Sequence, residues 1–497
     1  MRFSLGNSPD AAGRSHVGAT LDALAGKAPD RVAVSDGRET LTRSELLRRV
    51  QAMQAGLASA RAPQRVLVAT ADAVPALCRL LAAARSGRAA VVVDPAHLQR
   101  YGDAIRDTLA PLMVEWPVAL EKDRQGGAGA GVPGAPSPRP EAPFYIGLTS
   151  GSTGRPKAFQ RSHRSWIESF RLAGAAFALD ADERVFVPGG LGHSLHLFGA
   201  AHALHQGWRV DIARGFQPAA VIRRMQAAGS TVLVATPTQL RLLARAGERD
   251  GLRLACLRRI LISGAKWHER DRDRVAAVFP QAECHEFYGT SETSFISHRG
   301  PADACSEGVG RPFPGVEVEV RGAGGDRLAE GMEGEIWVRS PLLFDGYVMG
   351  DEPMTRSADG WLTVGDRGHL DSAGRLHLAG RGGRMIVTSG LNVFAEEIEA
   401  VLMEHAGVLQ AAVFGVADGL RGARIVAALQ AGAEVDPGAL RRHCLLRLER
   451  AKVPLRFHIL DDWPLTPGGK SDLPAIEAVV SKREEAADAG VSRRRET

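Results

Sequence analysis

Aromatic residues are scarce in this chain, with Phe, Trp and Tyr making up 5% of it. Proteins that stack nucleic-acid bases need aromatics set among clustered basic residues. Here the formal net charge is only +5 over 497 residues, and the one tight basic run is "SRRRET" at the C-terminus. No nucleic-acid partner is expected. Cysteine is sparse too: Cys78, Cys256, Cys284, Cys305 and Cys444 lie far apart. Such an odd, scattered set excludes a disulfide framework and a Cys-x-x-Cys zinc site. Apolar runs are too short for a membrane span. The opening "MRFSLGNSPDAAGRSHVG" lacks the apolar stretch of a signal peptide. A cytoplasmic protein is expected.

What is present fits a globular protein of more than one domain. Hydrophobic residues make up 44% and charged residues 24% of the chain. Near the N-terminus, "TRSELLRRVQAMQAGLASA" has helical apolar spacing, with Thr42 as N-cap before Glu45. "QRVLVATA" and "RAAVVVDP" read as buried strands around the apolar helix "AVPALCRLLAAARSG". Strand, helix, strand predicts a parallel sheet covered on both faces. Residues 121–142, rich in Gly, Pro and Ala, read as a flexible loop. Further strands are expected in "ERVFVPGG", "RVDIAR", "STVLVATP", "LRRILISG" and "QAECHEFYG", then a β-rich section from "VEVEV" to "GRLHLAG". From about residue 385 an α+β pattern suggests a small C-terminal domain, and the polar tail "KREEAADAGVSRRRET" reads as frayed.

The densest chemistry lies in "LTSGSTGRPKAF", Leu148 to Phe159. It fails the Walker A pattern, because Pro156 precedes Lys157 and Ala158 follows it. It fails the Rossmann Gly-x-Gly-x-x-Gly as well. Its residues still suit phosphate. Glycines let backbone N–H groups converge on an anion, hydroxyls donate, and Lys157 supplies a point charge.

The string "TSGSTGRPKA" resembles the phosphate loop of the adenylate-forming superfamily of acyl- and aryl-CoA synthetases, peptide-synthetase adenylation domains and beetle luciferases. Five further motifs follow in order: "LISGAK", "EFYGTSE", "WLTVGDRGHLD", "GRGGRMIVTSGLNVFAEEIE" and "PLTPGGKSD". The resemblance implies an α/β fold with a large N-terminal domain of stacked αβ sheets and a β-rich subdomain. A small, mobile C-terminal α+β domain completes it. The implied division is an adenylation core over 1–380, a hinge at 381–384 and a lid domain over 385–497.

The resemblance also implies roles. Thr149, Ser150, Gly151, Ser152, Thr153, Gly154 and Lys157 would close over ATP's phosphates. Glu292 would hold Mg²⁺, a hard ion that suits a carboxylate. Ser291 stands where the family usually has Thr, near the α-phosphate. Tyr288 and Gly289 would line the adenine, with Gly264 and Ala265 as its backbone wall and Glu286 accepting from its amino group. Lys266 departs from the family pattern. Asp366 would take the ribose hydroxyls, helped by Arg381. Lys470 would be the catalytic lysine, offsetting the charge of two approaching anions. Gly383 marks the hinge, and Gly390 a tunnel for a pantetheine thiol.

The acid's pocket would draw on His193, Thr236, Gly264 and Gly289. Amino-acid-activating relatives typically place an Asp there to pair with the substrate ammonium; none occurs between Phe186 and Arg209, so the resemblance disfavours α-amino acids. The expectation is an ATP-dependent ligase joining a fatty or aromatic acid to CoA. An acyl carrier protein's phosphopantetheine is the rival acceptor. A non-catalytic nucleotide binder would be expected to have lost Lys157, Glu292, Asp366 or Lys470, and all four are present.

Overall fold

The structure is a computed structural model. It describes residues 15–58, 64–109, 113–114, 137–150, 156–265, 267, 271–303, 308–350, 355–357, 359–388, 391–418, 422–432, 435–466 and 468–495. Residues 121–136 of the Gly/Pro/Ala-rich stretch lie outside them. The chain forms two compact units. One runs to Glu317 and takes in Val338–Pro353 and Pro467–Gly469; the other comprises Val318–Trp337, Met354–Thr466 and the residues from Lys470 on.

The first unit holds two sheets. In the six-stranded one, "RVLVA" (Arg65–Ala69) and "AAVVV" (Ala89–Val93) pair in parallel around the helix Ala73–Arg85. Val91, Val93 and Ala90 are fully buried, as continuous apolar strands covered on both faces should be. The Thr42 reading holds. Its hydroxyl accepts from Glu45 N at 3.3 Å while Glu45 accepts from Thr42 N at 2.8 Å, a reciprocal cap on the helix Arg43–Ala58. Beyond Ala89–Val93, the sheet continues with the antiparallel hairpin Pro143–Ser150 and Pro156–Ser162. The glycine- and hydroxyl-rich loop joins these two strands.

The nine-stranded sheet is parallel through its centre. Arg184–Val187, Val232–Ala235, Arg259–Ile262 and Glu283–Tyr288 are four adjacent parallel strands. Phe186, Leu233, Ile260 and Ile262 pack with Leu240 and Val278 from the helices, and with Phe279 just past one of them, into its core. All four strands run the same way, so their C-terminal ends lie along one edge. That edge is where open parallel sheets bind ligands.

The second unit contains a largely antiparallel β section, the hairpin Met385–Thr388 and Leu391–Phe394, and a three-stranded sheet led by Val408–Asp418 and Gly422–Ala431. Ile398, Leu402, Val413 and Leu429 form its core. The C-terminal tail corrects the sequence reading. It is helical from Leu473 to Arg495, because Glu484 is buried and binds Arg424 at 2.8 Å, Arg456 at 2.9 Å and His458 at 2.7 Å. Among the described residues no helix is long and apolar enough to cross a membrane.

Candidate active site

Four segments singled out in the sequence begin at the C-terminal ends of the four adjacent parallel strands. Val187 leads to His193, Ala235 to Thr236, Ile262 to Gly264 and Ala265, and Tyr288 to Gly289, Ser291 and Glu292. Two of these turns need glycine. Gly264 has φ of 98°, in the left-handed region. At Gly289 a Cβ would lie 1.7 Å from the Ser294 carbonyl oxygen, so no larger residue fits. Ser294 itself has φ of 60°.

Glu292 is buried, and the Tyr347 hydroxyl donates to its Oε1 at 2.8 Å. Lys157 is buried as well, with its Nζ 5.7 Å from the centre of the same Tyr347 ring. In the hairpin register Lys157 faces Thr149 and Pro156 faces Ser150. A cation on the strand Pro156–Ser162 and a carboxylate thus share one tyrosine. Residues Gly151, Ser152, Thr153 and Gly154 lie outside the described residues, as do Lys266 and Gly390.

The strand after this loop carries a cation that the sequence did not announce. Arg161 is fully buried on the strand Pro156–Ser162. It donates to Ser291 O at 2.9 Å, Ser294 Oγ at 2.7 Å, Leu342 O at 2.6 Å and Ser165 Oγ at 3.2 Å. Burial pushes its pKa down to about 10, with Asp345, Tyr145 and Glu292 acting in the opposite direction, so it keeps its charge at neutral pH. It staples the strand after the phosphate loop to the loop carrying Ser291.

Ser291 Oγ lies 3.0 Å from Ser194 Oγ, at the start of the helix Ser194–Gln206. His193 is the N-cap residue of that helix, without a capping side-chain bond. Thr236 caps the helix Pro237–Arg249 in a full capping box with Gln239, and its hydroxyl donates to Gly469 O at 3.0 Å. Gln239 in turn lies 3.1 Å from His196 Nε2. Glu286 is buried and already engaged. It accepts from Trp267 N at 3.0 Å, and Arg299, its register partner on the next strand, donates to its other oxygen. Any adenine contact uses its remaining lone pairs. Tyr288, on the same strand, is half-buried.

In the second unit, Asp366 and Arg381 are register partners on adjacent strands. Arg381 Nε donates to Asp366 Oδ1 at 2.8 Å; the Asp is buried and the Arg exposed. A short turn, Gly382–Arg384, includes Gly383. Arg384 then binds Glu396 at 2.9 Å and Glu399 at 2.6 Å. Lys470 lies in a tight turn where Thr466 N donates to Lys470 O at 2.7 Å and Lys470 N to Thr466 Oγ1 at 3.2 Å.

A family model described as AMP-binding enzyme matches residues 21–348, and one for the C-terminal domain of that family matches 397–470. The chain belongs to the AMP-binding enzyme family. Within it, the chain is 34% identical over 473 residues to an uncharacterized acyl-CoA ligase, YhfT, of Bacillus subtilis (strain 168), covering 91% of this chain and 95% of that one. The amide bond synthetase McbA of Marinactinospora thermotolerans superposes with a TM-score of 0.77 at 26% identity, over 93% of this chain and 99% of the other. The o-succinylbenzoate CoA synthetase MenE of Bacillus subtilis, solved with ATP and magnesium, gives 0.77 at 22% identity, over 91% and 98%, and shows the shared fold. The mixed α/β architecture is thus that of AMP-binding enzymes.

The magnesium expected for AMP-binding enzymes fits Glu292. Tyr347 occupies one of its oxygens. Among the described residues no group of three or more His, Cys, Asp or Glu side chains is placed to hold a metal. An ion bound there would rely on one carboxylate plus phosphates and water, which is the usual magnesium arrangement. Tyr347 and Arg161, which orient this corner, were missed in the sequence.

Proposed function

We propose that the chain is an AMP-forming carboxylate–CoA ligase using ATP, Mg²⁺ and CoA. The observation that carries the reading is the Lys157–Tyr347–Glu292 arrangement, in a chain of the AMP-binding family. The reaction runs in two steps. A carboxylate oxygen attacks the α-phosphorus of ATP, and pyrophosphate leaves. The thiolate sulfur of CoA then attacks the acyl carbon, and AMP leaves with the oxygen that linked them.

Both partners in the first step are anions, so catalysis is a matter of positioning and charge. Bound magnesium would supply Lewis-acid neutralisation of the phosphates, held by Glu292. Lys157 and the loop Thr149–Gly154 would bind the β- and γ-phosphates. Ser291 would donate near the α-phosphate, oriented by Arg161 and Ser194. Asp366 would accept from the ribose hydroxyls, with Arg381 fixing its carboxylate. Lys470 would neutralise the carboxylate and α-phosphate as they approach; its loss should cost on the order of 100- to 1,000-fold in rate. His193, Thr236, Gly264 and Gly289 would border the acid, and Gly390 the thiol path. The reading divides the chain at Gly383 and sets it in the cytoplasm, the compartment of ATP and CoA.

A second reading keeps the adenylation and changes the acceptor. The likeness to an amide bond synthetase favours an amine, and a carrier-protein thiol would use the same chemistry as CoA. Incubation with ATP, Mg²⁺ and a panel of fatty and aromatic acids, with CoA, an amine or a carrier protein, separates these by product mass. An acyl-CoA is expected. An amide or acylated carrier with CoA untouched would move the reading to that acceptor.

A further inference from the structure

Behind Ser194 the helix Ser194–Gln206 presents Leu195, Phe198, Gly199 and His202 at i, i+3, i+4 and i+7, one stripe of a helix. All four line a cavity of about 20 Å³ closed by Trp208, Phe287 and other apolar side chains. His202 lies ~12 Å along the helix axis from Ser194, given a rise of about 1.5 Å per residue. The imidazole is 4% exposed, stacked parallel on Phe170 at 5.0 Å and tilted against Trp208 at 5.0 Å. Among the described residues nothing hydrogen-bonds to its Nε2. An unpartnered buried polar atom beside a cavity is costly unless something fills it.

A lone water fits poorly. The cavity is just large enough for one, but only His202 and the Trp208 indole carry polar side-chain atoms in its lining. That is the lower limit of the roughly two to four hydrogen bonds a buried water makes. A polar tip on an otherwise apolar chain fits better, because the walls are hydrocarbon.

We propose that His202 reads the far end of the acid, and that this end carries a neutral hydroxyl, aliphatic or phenolic, beyond an apolar spacer. This rests on the ligase reading above. A hydroxyl both donates and accepts, so it suits either tautomer of a neutral ring. Burial, reinforced by His205, lowers the His202 pKa to about 3, so the ring does not call for a second carboxylate. A chain running from Ser194 to His202 lies along Leu195 and Phe198, which turn aside as side chains commonly do on binding.

The test compares straight-chain and arylalkyl acids of graded length, each with and without a terminal hydroxyl, by acid-dependent pyrophosphate release from the full chain with ATP and Mg²⁺. At one length the hydroxy acid should exceed its plain partner in kcat/KM by about 10-fold or more, because a site built for a hydroxyl rejects the analogue lacking it. The variant H202F keeps the ring stack, and should abolish that preference through KM while activity on plain acids persists. H202Q restores a polar tip, and should recover part of the preference. Plain acids preferred at every length in the unaltered protein, or an unchanged ratio in folded H202F, overturns the proposal and leaves His202 a packing residue. Absence of pyrophosphate release from every acid overturns the ligase reading itself, and the proposal with it.

Discussion

The Tyr347 hydroxyl donates to Glu292 Oε1 at 2.8 Å, while the same ring stands 5.7 Å from Lys157 Nζ. The bond fixes one carboxylate oxygen, and in the proposed reading the other would hold the metal. A hydrogen bond to a charged group contributes about 1.5–3 kcal/mol. Tyr347→Phe should therefore raise the Mg²⁺ concentration for half-maximal pyrophosphate release by roughly 10-fold, with the acid's KM unchanged. Glu292→Gln should lose on the order of 100-fold or more in kcat. A magnesium titration of Tyr347→Phe that overlays the parent protein would remove Tyr347 from the site.

Arg161 donates to two carbonyls and two hydroxyls from full burial. Each buried acceptor left bare costs roughly 1–3 kcal/mol. Arg161→Met should lower the melting temperature of the first unit by several degrees, at roughly 2–4 °C per kcal/mol. Arg161→Lys should recover little, since an ammonium lacks the planar fork that reaches several acceptors. Unchanged melting in both variants would show that the loops hold without it.

Asp366 is buried and bound to Arg381 at 2.8 Å. If it takes the ribose hydroxyls, Asp366→Asn should raise KM for ATP by about 10-fold, the loss of one charge-assisted bond. The parent protein should also discriminate against 2′-deoxy-ATP, and the variant should not. Equal discrimination by both would place the ribose elsewhere.

The sequence carried the strands and the order of the motifs, because buried parallel strands are continuous apolar runs and glycine-rich turns are locally encoded. What it did not carry are long-range partners. Tyr347 meets Glu292 from 55 residues away, and Arg161 meets Ser291 from 130. In "FQRSHRS" nothing distinguishes a fully buried arginine from a solvated one. The pairing of Glu286 with Arg299 was not legible because it depends on an antiparallel register that was not predicted. The tail read as frayed because its polar composition hides Glu484's three partners on other elements.

Gly382 and Gly383 lie between two anchored arginines, Arg381 on Asp366 and Arg384 on Glu396 and Glu399. Gly382 N donates to Gly365 O at 3.0 Å, which leaves Gly383 as the residue we propose to turn. Gly383→Pro should impair one half-reaction by about 10-fold or more while sparing the other. Pyrophosphate exchange and single-turnover thioester formation, measured separately, decide this. Equal loss of both in a folded variant would count against a hinge there.

In the proposed reaction a carboxylate oxygen attacks the α-phosphorus of ATP and the acyl group then passes to a thiol. Acid labelled with ¹⁸O in its carboxylate, turned over with ATP, Mg²⁺ and CoA, tests it most directly by mass spectrometry of the phosphate products. Label in AMP and none in pyrophosphate is the expected result. Label in orthophosphate, with ADP formed, would mean attack at the terminal phosphate and would contradict the account.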